Sequence, residues 1–199
     1  MERIEAILRY WYGEFPGPQT PPAEEISRRW FTQSDETDAE IRRLFGGDLE
    51  RAIAGGLDDW AETPEGRLAL IVLLDQFTRN CFRDSAEAFA QDGAAQRLVT
   101  EGIGIGHDRE LWVNRRLFFY MPLMHAEDLA LQDECVRRYE ALAAEAQGEL
   151  KKMAESQVDY ARRHRRAIER FGRFPHRNAL LGRASTPDEE AHLASGERF

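Results

Sequence analysis

The sequence contains no long apolar run. None of its 199 residues lies in a stretch approaching the roughly 18 consecutive apolar residues of a membrane span. Its two cysteines, Cys81 and Cys135, are too few for a disulfide framework. The N-terminus carries an acid at Glu2 and has no apolar stretch, so it does not resemble a secretory signal. These absences predict a cytoplasmic protein that contacts no membrane.

Lysine and histidine are also scarce. Two lysines and five histidines stand beside 25 arginines, and the net charge is −9, from 27 basic and 36 acidic residues. A negatively charged chain lacks the basic footprint of general nucleic-acid binding, so we expect no nucleic-acid partner. The arginine excess has two interpretations. It reflects the codon composition of a GC-rich genome, or it serves the bidentate binding of carboxylate or phosphate.

Arginine is concentrated in one segment. Residues 161–183 contain eight arginines and one acid, Glu169, so this segment carries +7 while the rest of the chain carries −16. A solvated basic face that pairs with acids elsewhere explains the cluster, and so does a surface that binds an anion. The sequence leaves both interpretations open.

Cap signals and apolar spacing predict helices throughout the chain. Hydrophobic residues make up 42% of it, which excludes disorder for most of its length and suits one well-buried core. Helix starts are predicted at Thr20-Pro21, Ser34-Asp35, Thr63-Pro64, Ser85 and Thr186-Pro187. Helix ends or breaks are predicted at Gly13, Gly46-Gly47, the glycine run 102–106, Pro122 and Gly148. With no convincing β-hairpin signal, we predict a single all-α domain over residues 1–199, built from antiparallel helices without a sheet.

Residues 68–74 are apolar on every side. A helix of this kind is central and is packed by several neighbours. A buried parallel strand is the alternative interpretation. The leucine content, the cap signal at Thr63 and the polar continuation to Arg83 favour the helix.

The first of three polar clusters continues this helix over residues 75–84. Asp75 and Arg79 are spaced i,i+4 with the acid first, which is the favourable orientation. Arg79 and Arg83 repel each other at the same spacing unless an acid lies between them. A buried network that holds helices together explains Asp75 and Gln76. The candidate ligand-binding residues of this cluster are Arg79, Asn80 and Arg83.

The second cluster follows Pro122. His125 and Asp128 are spaced i,i+3 on one helix face, but a metal site needs a third and a fourth ligand, so we predict neither a metal nor a cofactor. Acids in the first turn of a helix, stabilised by the helix dipole, are the structural alternative. The candidate ligand-binding residues of this cluster are His125, Glu127 and Asp128.

The third cluster lies near the C-terminus. His164 shares a helical stripe with apolar residues and is predicted to point inward, where a histidine is either a hydrogen-bonded core residue or part of a site. Pro175 is predicted to begin a short helix, whose free amide N–H groups suit an anion. The candidate ligand-binding residues of this cluster are His164, Arg173, His176, Arg177, Asn178 and Arg183.

No catalytic signature is present in the sequence. We find no nucleophile elbow, P-loop, zinc-protease motif or paired-cysteine motif. The glycine run at 102–106 is not a dinucleotide fingerprint because no strand precedes it. Cys81 lies within a predicted helix and is expected to be a core residue. The sequence therefore leaves open whether the protein is an enzyme.

Apart from His164, the candidate residues of the three clusters lie in strings that closely resemble the motifs of the bacterial "domain of unknown function 924" family. These strings are LLDQFTRNCFR at 73–83, YMPLMHAED at 120–128 and FGRFPHRNALLGRAST at 171–186. The resemblance implies an all-α, right-handed superhelix like that of tetratricopeptide proteins, and it implies no established activity. The family typically has proline, glutamate and serine where this chain has Thr78, Met124 and Ala126. The missing acid at 124 weakens a metal or acid/base interpretation of the second cluster.

We hypothesise that the three clusters converge on one concave groove that binds a small phosphorylated or carboxylated ligand, or the acidic end of a peptide. A hydrolase or transferase is the second hypothesis, with His125, His164 or His176 as acid/base and arginines as charge stabilisers. A protein-interaction scaffold is the third, in which the polar clusters only fix helix packing. Convergence of the histidines with Arg79 and Arg177 favours the first two hypotheses, and separate ion pairs favour the third. The sequence does not indicate an oligomeric state.

Overall fold

The computed structural model describes residues 1–14 and 17–196. All regular structure in these residues is helical, which confirms the all-α class. The helices are α1 Glu2–Tyr12, α2 Glu24–Phe31, α3 Asp35–Ile53, α4 Pro64–Ile71, α5 Thr78–Cys81, α6 Asp92–Ile105, α7 His107–Glu110, α8 Val113–Phe119, α9 Met121–Met124, α10 Leu129–Glu145, α11 Gly148–Phe171 and α12 Pro187–Ala194. A π-helical segment, Val72–Phe77, joins α4 to α5, and 3₁₀ turns occupy Asp58–Glu62, Ala86–Phe89 and Pro175–Arg177. The superhelical arrangement implied by the resemblance remains a prediction.

The apolar run at 68–74 forms the central helix, as predicted. The Thr63 hydroxyl accepts a hydrogen bond from the Gly66 N–H at 3.1 Å, and Pro64 occupies the first turn of α4. Every side chain from Leu68 to Leu74 is buried. Because α1, α6 and α8 all pack against α4, this helix is surrounded by neighbours, and its buried charged residue, Arg67, is hydrogen-bonded.

Helices α10 and α11 form a long hairpin. Two residues join them and they pack against each other extensively, so they run antiparallel. Asp128 begins the hairpin, since its carboxylate accepts a hydrogen bond from the Leu131 N–H at 2.9 Å and caps α10. The break predicted at Gly148 lies just before it, since α10 ends at Glu145 and Gly148 is the first residue of α11.

Two predictions near the N-terminus are wrong. Helix α2 begins at Glu24 rather than at Pro21. Pro22 follows Pro21, and a residue that precedes proline is disfavoured in the helical region. Helix α3 continues through Gly46-Gly47 to Ile53 instead of ending there. The buried side chains of α3 on both sides of the glycines hold the helix against the core, and this packing outweighs the glycine penalty.

Predictions in the middle of the chain also need correction. The helix expected from Ser85 begins at Asp92, after a 3₁₀ turn, and runs through the glycine positions to Ile105. Gly106 ends it in the left-handed conformation, at φ 86°. Near Pro122, predicted to end or kink a helix, α8 ends at Phe119, and Pro122 lies in the first turn of α9, where its missing N–H is tolerated.

Gly102 is needed for a close approach between elements. A Cβ atom at this position would lie 2.6 Å from Cδ of Arg67 and 2.8 Å from Cζ of Phe119, and both of these side chains are buried. Arg67 has little freedom to move, since its guanidinium donates to the carbonyl oxygens of Leu98 and Ala61 at 2.9 Å each. This contact explains a glycine within a helix.

We therefore expect Gly102→Ala to lower the free energy of unfolding by about 1–3 kcal/mol through overpacking. Gly104→Ala is the matched control in the same helix, where the new methyl group meets no atom within 4 Å. It should raise the free energy of unfolding by about 0.5–1 kcal/mol, because alanine restricts the unfolded chain. Urea unfolding of both variants measures the two effects. Equal effects of the two substitutions would contradict the packing explanation.

Candidate functional site

The candidate site is built on Asp75, which lies in the π-helical segment and is wholly buried. Its Oδ1 atom is 2.7 Å from Nδ1 of His125, and its Oδ2 accepts a hydrogen bond from Nε2 of Gln76 at 2.5 Å. Short π-helical segments occur frequently at functional sites, because the wider turn redirects side chains. Asp75 therefore combines an unusual backbone position with a buried charge.

A closed ring of polar contacts includes this pair. Arg79 donates from Nη1 to the Asp75 carbonyl oxygen at 2.6 Å and from Nη2 to Oδ1 of Asp92 at 2.8 Å. Arg177 donates from Nη1 to Oδ2 of Asp92 at 2.9 Å and from Nη2 to the His125 carbonyl oxygen at 3.1 Å. We call Asp75, Arg79, Asp92, His125 and Arg177 the polar ring. Its two carboxylates balance its two guanidinium groups.

Five parts of the chain contribute to the polar ring. Asp75 and Arg79 lie one turn apart where the π-helical segment passes into α5, and Asp92 is the first residue of α6. His125 directly follows α9, and Arg177 ends the last 3₁₀ turn. Positions up to 102 residues apart in sequence thus meet at one place.

The electrostatics of the pair favour an ionised Asp75 and a neutral His125. Burial alone would raise the pKa of Asp75, but the charges of His125 and Arg79 and the hydrogen bonds from His125 and Gln76 outweigh it and lower the pKa to about 2. Burial and the charge of Arg79 lower the pKa of His125, although Asp75 opposes this. At neutral pH, Nδ1–H of His125 accordingly donates to Asp75, and Nε2 carries the lone pair.

Nε2 of His125 has no hydrogen-bond partner among the described residues, and we call it open. The side chain is 16% exposed, and its only hydrogen bond in the described part of the chain is the one from Nδ1. Arg79 is similar, with a side chain that is 21% exposed and an Nε–H that donates to no group among the described residues. The site therefore offers one acceptor and one charged donor to a ligand.

Two further histidines surround Phe174, next to the polar ring. The ring centroids of His164 and His176 lie 5.5 and 5.7 Å from that of Phe174. Burial lowers the pKa of His164 to about 3. Partial desolvation and the charge of Arg177 lower the pKa of the more exposed His176 to about 4. Arg177 lies over Phe174 and Phe89, with its Cζ atom 4.6 and 4.7 Å from their centroids. All three histidines of the region are thus neutral at pH 7.

Four more candidates lie in a neighbouring cluster of ion pairs beside the polar ring. Glu127 accepts hydrogen bonds from Arg183 at 2.6 and 2.9 Å, and Arg173 pairs with Glu189 at 2.6 and 2.8 Å. Asn178 accepts from Nε of Arg183 at 3.0 Å. Each arginine of this cluster is matched by a carboxylate, and the cluster fastens the C-terminal residues.

Two of the amides that were expected to be free after Pro175 are hydrogen-bonded. The turn is a three-residue 3₁₀ helix, in which the Arg177 N–H donates to the Phe174 carbonyl oxygen and the Asn178 N–H to the Pro175 carbonyl oxygen. Both donors are used within the turn. These two amides therefore do not support the anion site predicted at this turn, which stays a prediction.

The remaining candidates lie elsewhere. Arg83 pairs with Asp38 at 2.6 and 2.8 Å, and Asn80 donates to the same carboxylate at 2.7 Å. This contact joins α3 to the end of α5. Because Arg79 turns to Asp92 and Arg83 to Asp38, the predicted repulsion between the two arginines is relieved.

The arginine-rich segment is largely paired with acids. Arg162 contacts Glu140 at 2.7 Å and Arg165 contacts Asp133 at 2.6 Å, and both acids belong to α10. Arg170 contacts Asp188 of α12 at 2.5 Å. These contacts support the interpretation of a basic face that pairs with acids elsewhere.

No pattern in the sequence marks Asp92 or Phe89 as a site residue. They lie outside all three clusters, and the helix that Asp92 begins was predicted to start at Ser85. Asp75 was recognised, but as a structural residue. Among residues 1–14 and 17–196, no group of three or more histidine, cysteine, aspartate or glutamate side chains is arranged to hold a metal ion.

The positive charge of Arg79 affects the pKa of His125, and this effect can be measured. We expect Arg79→Gln to raise the pKa of His125, because the substitution removes a positive charge that disfavours the imidazolium. Arg83→Gln is the matched control, since Arg83 pairs with Asp38 outside the polar ring. Titration of the His125 ring nitrogens by ¹⁵N NMR measures both variants. A fall in the pKa with Arg79→Gln, or an equal rise with Arg83→Gln, would contradict the assignment.

Comparison with known proteins identifies the family of the chain. The chain is similar over 96% of its length to a solved structure, a protein of unknown function, ATU0120, from Agrobacterium tumefaciens. The two share 35% sequence identity and a TM-score of 0.81, and the match covers 97% of that chain. No curated protein matches the sequence. The family described as bacterial protein of unknown function (DUF924) matches residues 7–197, and the chain belongs to this family.

Proposed function

We propose that the protein is a hydrolytic or group-transfer enzyme in which His125 acts as the general base. The observation that carries this proposal is the contact between Nδ1 of His125 and the buried carboxylate of Asp75, at 2.7 Å, with Nε2 open. A carboxylate behind a neutral imidazole fixes its tautomer and stabilises the imidazolium that forms when the ring takes a proton. Asp75 itself stays ionised throughout.

The proposed substrate is a small molecule with a carboxylate or a phosphate group. The open Nε–H of Arg79 would donate a hydrogen bond to this group. The polar ring as a whole carries no excess positive charge, because its carboxylates balance its guanidinium groups. Water or a substrate hydroxyl would donate its proton to Nε2 of His125 as its oxygen attacks the carbonyl or phosphoryl centre. His125 would then return the proton to the leaving group.

A binding module without chemistry is the second candidate function. The polar ring favours it, because Arg79 and Arg177 converge there with His125. Such a module would bind a phosphorylated or carboxylated small molecule, or the acidic end of a peptide, in a groove beside Arg79. The two functions differ in whether His125 is needed for turnover or only for affinity.

The protein is proposed to act in the cytoplasm. Cys81 and Cys135 are free and buried, as suits a reducing compartment. In the part of the chain that the structure describes, none of the helices combines the length and apolar character needed to cross a membrane.

Turnover by variants of the site tests the enzyme proposal. A panel of carboxylic esters, amides and phosphate monoesters is assayed with the purified protein. For the substrate that is hydrolysed, we expect His125→Gln to lower kcat by about 10²–10⁴-fold, the usual contribution of a general base. Asp75→Asn should also lower kcat, since an amide oxygen or N–H at Nδ1 no longer stabilises the imidazolium.

Arg83→Gln is the control and should keep its activity. Full activity of a folded His125→Gln variant would refute the enzyme proposal. A thermal-shift screen with inorganic phosphate, succinate and citrate separates the binding module from the enzyme. A ligand at 100 times its Kd stabilises the fold by about 2.7 kcal/mol, and loss of that shift in Arg79→Gln without any turnover would favour the binding module.

A further inference from the structure

The last residues described, 172–196, form a unit that is braced from within. Arg173 and Glu189 pair across it at 2.6 and 2.8 Å, and Arg173 also donates to the Ala184 carbonyl oxygen at 2.8 Å. Asn178 donates to the hydroxyl of Ser185 at 3.0 Å. Contacts of this kind join the two ends of the segment, so it can move as one body. We call residues 172–196 the C-terminal unit.

The apolar contacts of the C-terminal unit are separate from the main core. Phe174 is wholly buried, but it packs in a small cluster with Ala167, Ile168 and Phe171 of α11. The main hydrophobic cluster ends at Ala161 and includes no residue of the unit. Regions with few apolar contacts to the main core open at a lower free energy than the core itself.

Polar contacts hold the unit to the helices beneath it. Glu127 accepts a hydrogen bond from the Phe174 N–H at 2.7 Å and pairs with Arg183 through both of its oxygens. Arg177 reaches Asp92 and the His125 carbonyl oxygen. Gly172, at φ 71°, ends α11 where the unit begins, and only a residue without a side chain adopts this conformation readily. This glycine marks the point where the chain leaves α11 and enters the unit.

Arg177 connects the C-terminal unit to the proposed site. It is the only residue of the polar ring that the unit carries, and its Nη2–H donor holds the His125 backbone at 3.1 Å. Its Nε–H is buried and has no acceptor among the residues that the structure describes. A buried donor without a partner destabilises the docked arrangement relative to one with every group satisfied. Arg177 thus makes a specific contact with the His125 backbone while its own Nε–H lacks an acceptor in the described structure.

We propose that Arg177 is a positioning residue for His125, and that the C-terminal unit docks and undocks as one body so that the site is assembled only when the unit is docked. The catalytic consequence rests on the function proposed for His125. The docking itself does not, because it concerns the free protein. Undocking removes one side of the polar ring and uncovers the region around His125.

Amide exchange followed by NMR tests whether the unit moves as one body. The Phe174 N–H donates to Glu127, across the docking contact, whereas the Arg183 N–H donates to the Asn178 carbonyl oxygen within the unit. We expect Arg177→Gln to speed exchange of the Phe174 amide by about tenfold or more and to leave the Arg183 amide nearly unchanged. Equal acceleration of both amides would show unfolding of the unit instead and overturn the proposal, and so would no acceleration of either.

The ring nitrogens of His125 test the positioning role from a distance. Glu127→Gln weakens the docking contact without altering any residue of the polar ring. We expect it to shift the ¹⁵N signals of His125 in the same direction as Arg177→Gln does. Arg162→Gln, which removes an exposed contact with Glu140 of α10 and touches no residue of the C-terminal unit, is the matched control and should leave these signals in place.

Unchanged His125 signals in both Glu127→Gln and Arg177→Gln would overturn the positioning role. Both measurements use the full chain without substrate. They therefore stand if the turnover experiment fails. A positive result here together with full activity of His125→Gln would refute the enzyme proposal alone.

Discussion

A carboxylate buried in the central helix is the constraint on which the site depends. Asp75 follows directly on the apolar run of α4 and is closed off from solvent. An ion there is tolerated only when hydrogen bonds and opposite charge replace water. His125, Gln76 and Arg79 supply these contacts. Arg79 in turn needs Asp92, and Asp92 also binds Arg177, so one buried charge organises the contacts of helices that are distant in sequence.

Arginine–carboxylate pairing extends this logic across the molecule. Arg83 joins α5 to Asp38 of α3, and Arg183 joins the C-terminal unit to Glu127. Pairs of this kind are partly buried and bidentate, which makes them more specific in geometry than exposed pairs. An acidic chain with 25 arginines therefore uses much of its charge internally. What remains available at the polar ring is the open Nε2 of His125 and the open Nε–H of Arg79.

The site also lies between the main hydrophobic core and the C-terminal unit. Asp75 belongs to the main hydrophobic core region, whereas Arg177 belongs to a unit whose apolar contacts form a separate small cluster. Binding sites are commonly drawn from regions that open more easily than the core. The buried Asp75–His125 pair provides a fixed geometry on one side of the site. The proposed undocking of the C-terminal unit on the other side gives a ligand access.

Local sequence determined much of the secondary structure. The central helix at 68–74, its cap at Thr63 and the capping box of α12 at Thr186 all depend on neighbours within a few residues, and all were predictable. The motif strings also located three of the five residues of the polar ring as ligand candidates: Arg79, His125 and Arg177. Local rules failed where packing opposed them, as at Gly46-Gly47 and Gly102, which lie inside helices.

Tertiary structure alone decided which candidates meet. Asp92 joins two arginines 98 residues apart, and no local pattern marks it as their partner. The sequence likewise did not separate Arg83 and Asn80, which bind Asp38, from Arg79, which binds Asp92. The sequence determines helices and apolar faces because these depend on short-range spacing. The partner of a charged side chain depends on which helix ends the packed core brings together, and that is a property of the whole fold.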